Sequence, residues 1–216
     1  MLKVKSMIEH ENKIGKVLGS SVITAGGTRT RDMMVEGRKY FNQKNVRGNV
    51  ITIGFSHMID FVMLVLSELS DFRSQLSIQR HQVPIVGSDG TVLEVVATDV
   101  ADHVMPQGSL SSGAPLSIIF RRGPPFKNTP GLIWSIYGEK GEIMITATGP
   151  ALQANDDGTS ITVHTFDLEV MKIIARDQHL LIERRRSFQI LDTQCYGIDT
   201  SSRCTKVLRR FEGGNI

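Results

Sequence analysis

His57 and Asp60 stand three residues apart in the apolar run GFSHMIDF, Gly54 to Phe61. On a helix that interval puts both side chains on one face. An imidazole titrates near neutral pH, and one held by a carboxylate is common equipment for moving a proton. The same pair fits a plainer reading, a satisfied core histidine with the aspartate as its partner or as a capping group. A third reading is a polar notch on a buried helix that faces a ligand. Residue types alone leave all three open.

Little else in the chain carries chemistry by pattern. The other histidines (His10, His81, His103, His164, His179) are scattered, and none makes a metal pair at useful spacing. Asp102-His103 follows Thr98-Asp99 between expected strands, where a structural place in a loop fits better than catalysis. The Gly-x-Gly-x-x-Gly, P-loop and Gly-x-Ser-x-Gly patterns are absent. Arg121 to Lys127, RRGPPFK, is a basic loop stiffened by two prolines. It reads either as solvated surface or as a rim toward an anionic or polyol ligand or a partner, with Arg121, Arg122 and Lys127 as the contact candidates. Cys195 and Cys204 match no zinc or redox spacing, and two free thiols is the simpler reading than a disulfide.

The formal charge of +3, from 25 basic and 22 acidic residues, does not by itself imply nucleic acid or a membrane. Seven Lys and Arg against four Asp and Glu follow residue 182, so the rest of the chain holds equal numbers of each sign. Arg184-Arg185-Arg186 reads as solvated surface or as a nucleic-acid or nuclear-localisation patch. The N-terminal MLKVKSMIEHENK lacks the apolar centre of a secretory signal. His57 and Asp60 interrupt the longest apolar window, Val50 to Leu66, and argue for a core helix over a membrane span. A cytoplasmic or nuclear protein is the default.

The elements that must position these residues follow from periodicity. Leu2, Val4, Met7 and Ile8 form a short helical stripe, and Val17 to Ala25 reads as a strand. Residues 26–48 read as a long polar loop, of the length that is usually functional or disordered. Val50 to Leu69 reads as one long buried helix with Asn49 as its N-cap. After Ser70 the period becomes two. Strands are expected around Leu76 and Ile78, at Val92–Ala97, and on both sides of Ser111-Ser112-Gly113-Ala114. More are expected on both sides of Gly138-Glu139-Lys140-Gly141 and at Ser160–Phe166. The fold class is therefore α+β, an open, mostly antiparallel β-sheet with helices packed on one face. Residues 1–166 read as one domain. Residues 167–216 read as a divergent basic tail, a candidate for disorder, in which Glu169 to Ile182 is a helix candidate.

Four stretches taken in order carry a family resemblance: IGKV (Ile14 to Val17), GFSHMIDF, TDVADHVMPQGSL (Thr98 to Leu110) and YGEKGEIMI (Tyr137 to Ile145). From about Lys3 to Phe166 the chain resembles the C-terminal domain of the glucose–fructose oxidoreductase and inositol dehydrogenase (Gfo/Idh/MocA) family. Its nearest branch looks like the fungal galactose-pathway repressor. The resemblance implies a sheet domain that follows a Rossmann domain, walls the substrate cleft and often forms the oligomer interface. Full-length members bind NAD(P). This chain carries neither the glycine fingerprint nor the lysine of the family's Glu-Lys-Pro motif, and is expected to hold no cofactor. Active members carry an aspartate four residues before the histidine, and here that position is Ile53, which cannot orient or exchange a proton.

The resemblance thus implies no catalytic residue and no metal ligand. It leaves His57, Ser56, Ile53 and Tyr40 as lining of a ligand cleft. It implies a homodimer through the sheet and a transcriptional regulator as partner, with no direct nucleic-acid or membrane contact. The chain is expected to be a non-catalytic, repressor-like domain, from a truncated reading frame or with its closing elements replaced. The alternative is the substrate-binding half of an NAD(P)-dependent sugar or polyol oxidoreductase.

Overall fold

The computed structural model describes residues 1–26, 33–46, 48–152 and 158–166, and the backbone of 171–175. Helix α1, Leu2–Glu9, leads into strand β1, Val17–Gly26. The segment expected as a long loop instead holds a two-residue strand β2, Met34–Val35, and a 3-10 helix, Glu36–Asn42. Val50–Phe55 is a widened π-type turn that runs straight into helix α2, Ser56–Leu66. Asn49 does cap this unit. Its Oδ1 accepts from the backbone N–H of Ile51 and Thr52 at 3.0 and 3.1 Å, and its own N–H donates to Thr52 Oγ1 at 2.9 Å.

The helix stops at Leu66 rather than at Leu69. Ser67 adopts φ +70°, outside the helical region, and the Glu68 carbonyl accepts from both Ser111 N and Ser111 Oγ at 2.8 and 2.9 Å. Leu69 is thereby drawn into β3, Leu69–Ser77. There follow β4, Gln82–Val86; β5, Val92–Ala97; β6, His103–Leu110; and β7, Pro115–Arg122. Then come β8, Leu132–Gly138; β9, Gly141–Ala147; and β10, Ser160–Thr165. The last described strand, β11, is Met171–Ala175. It overturns the helix candidate in that stretch and extends the sheet past residue 166. The rest of the expected tail lies outside the described residues.

Eight strands form one sheet in the order β11-β10-β9-β8-β1-β7-β6-β3, while β2-β4-β5 form a small second sheet. Every pair in the large sheet is antiparallel except β1 with β7. Alternation along the strands sorts the two faces. Ile118, Val22, Trp134, Ile145 and Ile161 lie in cross-strand register and are all buried. The next row, headed by Ile119 and Ile23, points the other way, and both of these isoleucines are exposed.

Helix α2 covers the buried face, with Phe61 against Trp134 at 5.6 Å and Phe55 edge-on to Phe120 at 5.9 Å. Helix α1 packs on α2 through Val4 and Met7. Trp134 Nε1 donates to Ser20 Oγ at 2.9 Å, so the one polar atom of the buried indole is satisfied. Two of the quoted motifs meet at one end of the sheet. Lys140 N donates to the Ile14 carbonyl at 2.9 Å and Glu139 N to that of Lys16 at 3.1 Å. A Cβ at Gly138 would collide with the Ile14 carbonyl, which is why the hairpin needs glycine there.

Candidate functional site

The π-type turn brings Val50–Phe55 close against the sheet. A Cβ at Gly54 would stand 3.2 Å from Phe120 Cζ. Such turns interrupt a regular helix and are frequent at functional sites. Here the turn presents Ile53 to solvent, with His57 one turn on and also exposed. Tyr40, from the 3-10 helix, comes to the same place. A Cβ added at Gly48 would lie 3.1 Å from Tyr40 Cε2 and 3.9 Å from Ile53 Cδ1, so Tyr40 and Ile53 flank Gly48. Three of the cleft candidates, Tyr40, Ile53 and His57, thus lie along one surface. Ser56 does not join them. It is buried, and its hydroxyl donates back to the Ile51 carbonyl at 3.3 Å.

The histidine is not the satisfied core residue that one reading offered. His57 is exposed, Asp60 is half-buried, and they share no hydrogen bond. Asp60 is not the cap of α2 either, since Asn49 holds that role for the whole turn–helix unit. With Ile53 one turn away in place of an acid, no carboxylate orients the imidazole. Among the described residues no group of three or more His, Cys, Asp or Glu could hold a metal ion. At the start of the turn–helix unit the Ile51 and Thr52 N–H groups are both taken by Asn49 Oδ1.

TDVADH, read as a loop, braces the Tyr40 segment. The Asn42 carbonyl, at the end of the 3-10 helix, accepts from Thr98 Oγ1 at 3.0 Å and Asp99 N at 3.3 Å. Asp99 Oδ1 accepts from Lys44 N at 2.6 Å. Asp102 is almost fully buried. It accepts from Gln79 N at 2.9 Å, Arg80 N at 3.1 Å and His103 Nδ1 at 3.0 Å. Burial works to raise its pKa, but the hydrogen bonds from His103, Gln79 and Arg80 outweigh it and hold the carboxyl below its ordinary value.

Arg121 and Arg122 belong to the end of β7 rather than to the loop. Arg122 is only 5% exposed and donates from Nη1 to Asn42 Oδ1 at 3.5 Å, so it serves the brace and cannot meet a partner in this arrangement. Arg121 is half-buried with Nη1 on the Pro124 carbonyl at 3.0 Å. Lys127 alone of the three is exposed, beside exposed Phe126. Sequence reasoning missed Asn42, which is buried and ties the brace together. A signal existed for Arg122: it falls in phase with Leu116, Ile118 and Phe120 at period two.

A mostly antiparallel sheet with helices on one face is the architecture of the sheet domain of oxidoreductase-type proteins. Solved structures share it. The super-repressor mutant Gal80(S2) of Gal80p from Saccharomyces cerevisiae matches at a TM-score of 0.69 and 23% identity, over 80% of this chain and 44% of that one. Apo levoglucosan dehydrogenase matches at 0.62 and 21%, over 79% and 43%. The family described as Gal80p, C-terminal domain, matches residues 1–147, and the chain belongs to it. Dehydrogenase aclE of Aspergillus oryzae is 23% identical over 176 residues, 79% of this chain and 45% of that protein. The chain thus spans less than half the length of these relatives, and both repressor and dehydrogenase structures stand among its neighbours. Among the described residues no helix is long and apolar enough to cross a membrane.

Proposed function

We propose that the chain is a non-catalytic, repressor-like domain whose Tyr40–Ile53–His57 surface binds a transcriptional regulator and whose open sheet face binds a second copy. The observation that carries the reading is Ile53. It is an exposed apolar side chain where the family resemblance calls for an aspartate, set beside exposed Tyr40. Such a surface favours contact with apolar side chains over activation of an alcohol. Exposed Arg38 and Lys44 flank Tyr40 in sequence, which suits a segment mixing acidic and apolar residues. Dimerisation is supported by the uncovered sheet face, where Ile23, Ile119, Tyr137 and Met144 are all exposed. The working domain in this reading runs through β11, with the remainder as a tail.

The test is fluorescence anisotropy with an acidic–apolar activation peptide, with a basic peptide of matched length as control. Saturable binding of the acidic peptide, weakened about tenfold by Ile53→Asp, is the expected result. Equal binding by the wild type and Ile53→Asp, or a preference for the basic peptide, contradicts the proposal. The substrate-half reading stays in play because dehydrogenases share the fold. It requires that a free sugar or polyol bind beside His57.

A further inference from the structure

The small sheet ends in an edge that the Tyr40–Ile53–His57 surface does not use. Strand β5 pairs with β4 on one side and, among the described residues, with nothing on the other. Its N-terminal four residues are all exposed, Val92 at 57%, Leu93 at 52% and Val95 at 56%. The opposite side of this sheet is a proper core, Met34, Val83 and Ile85 packed with Phe41 and Val96. Natural edge strands are usually blunted by lysine, proline or an inward charge. Strand β5 has no lysine or proline. Its irregularity is confined to one end, where Leu93 is the extra residue between the Val86–Val92 and Ile85–Glu94 pairs. Glu94, the only charge on the strand, is bound to Lys39 Nζ through both oxygens at 2.7 and 2.8 Å.

We infer that β5 is a self-pairing edge, which joins the β5 of a second copy of this chain antiparallel, with Val95 opposite Val95 in the regular part of the strand, to make a continuous six-stranded sheet. The charge pattern selects this occupant. With Glu94 already matched, the edge offers a neutral apolar strand with no unmatched charge to attract an acidic or basic peptide. A two-fold antiparallel pairing needs only one strand's own pattern, because each copy supplies the groups the other lacks. This contact is separate from the large sheet's open face.

Sedimentation equilibrium of the full chain tests it, with Val95→Lys, Val95→Glu and an equimolar mixture of the two. The series is run in an Ile119→Lys background so that the large-sheet face does not contribute. Position 95 is exposed, so both variants should keep the melting temperature and circular dichroism of the parent. If either fails to fold, Val95→Arg and Val95→Asp replace them. The expected result is self-association weakened tenfold or more in each single variant and restored on mixing, because lysine then meets glutamate across the two-fold. Association unchanged in the single variants overturns the inference. So does loss that mixing does not restore, or a parent that shows no association at all.

Discussion

Asp102→Asn removes one charge and replaces one acceptor oxygen with a donor, at nearly constant shape. In the native chain Oδ1 takes Gln79 N and His103 Nδ1, and Oδ2 takes Arg80 N. The asparagine oxygen can keep the first two only by turning its NH2 toward the Arg80 N–H, which then loses its acceptor. A buried donor left unmet costs about 1–3 kcal/mol. The two bonds that survive lose the strength a charged acceptor gave them, roughly 1 kcal/mol between them. The total is about 3 kcal/mol, which for a domain of this size lowers the melting temperature by about 6–12 °C.

The pH dependence has a defined sign. The folded carboxyl titrates below its ordinary value, so its stabilisation is complete above the unfolded value and is lost as pH falls through the folded one. Thermal melts followed by circular dichroism from pH 7 down to pH 2 should show a gap between wild type and Asp102→Asn at neutral pH that narrows in acid. A variant that melts within 2 °C of wild type at pH 7, or a gap that widens in acid, refutes the account of TDVADH as a brace.

Ile119→Lys places a charge on the open face of the large sheet, where Ile119 is 43% exposed. It should lower the mass seen in light scattering to that of the species held by the β5 edge alone and leave the circular dichroism spectrum unchanged. Trp134→Phe removes the hydrogen bond to Ser20 and part of a fully buried ring. A loss of about 2–3 kcal/mol in urea unfolding is expected, from the void and the lost hydrogen bond, although Ser20 Oγ keeps the Ser135 carbonyl as a partner. Gly138→Ala forces the β8–β9 turn away from Ile14, and a cost of about 2 kcal/mol or more should appear in the same assay.

The parts of the fold that were legible in the sequence are those fixed by local chemistry. The β8–β9 hairpin follows from GEKG between alternating apolar residues, and the cap from Asn49 with Thr52 three residues on. The parts set by distant contacts were not. Proline in the middle of HQVPIV argues against a strand, yet β4 tolerates Pro84 because β2 pairs only with Ile85 and Val86 beside it. The end of α2 is fixed by Ser111 reaching Glu68 across 43 residues, which no local period reports. The side of α2 on which His57 lies was unreadable because Met58 to Leu66 is apolar on nearly every face. Tyr40 and Ile53 are thirteen residues apart across Gly48, and only the fold, with Thr98 and Asp99 holding Asn42, brings them together. The Ile53 substitution was readable as chemistry, whereas the surface it makes with Tyr40 was not.

The central claim is that this surface serves interaction rather than a sugar or polyol substrate. The direct measurement is a titration of the full chain with glucose, galactose and inositol, watching the Ile53 methyl and His57 ring signals by NMR. No saturable shift up to about 50 mM is predicted, a level above the usual substrate range. A saturable shift of both residues by any one of the three contradicts the account and favours a substrate-binding half.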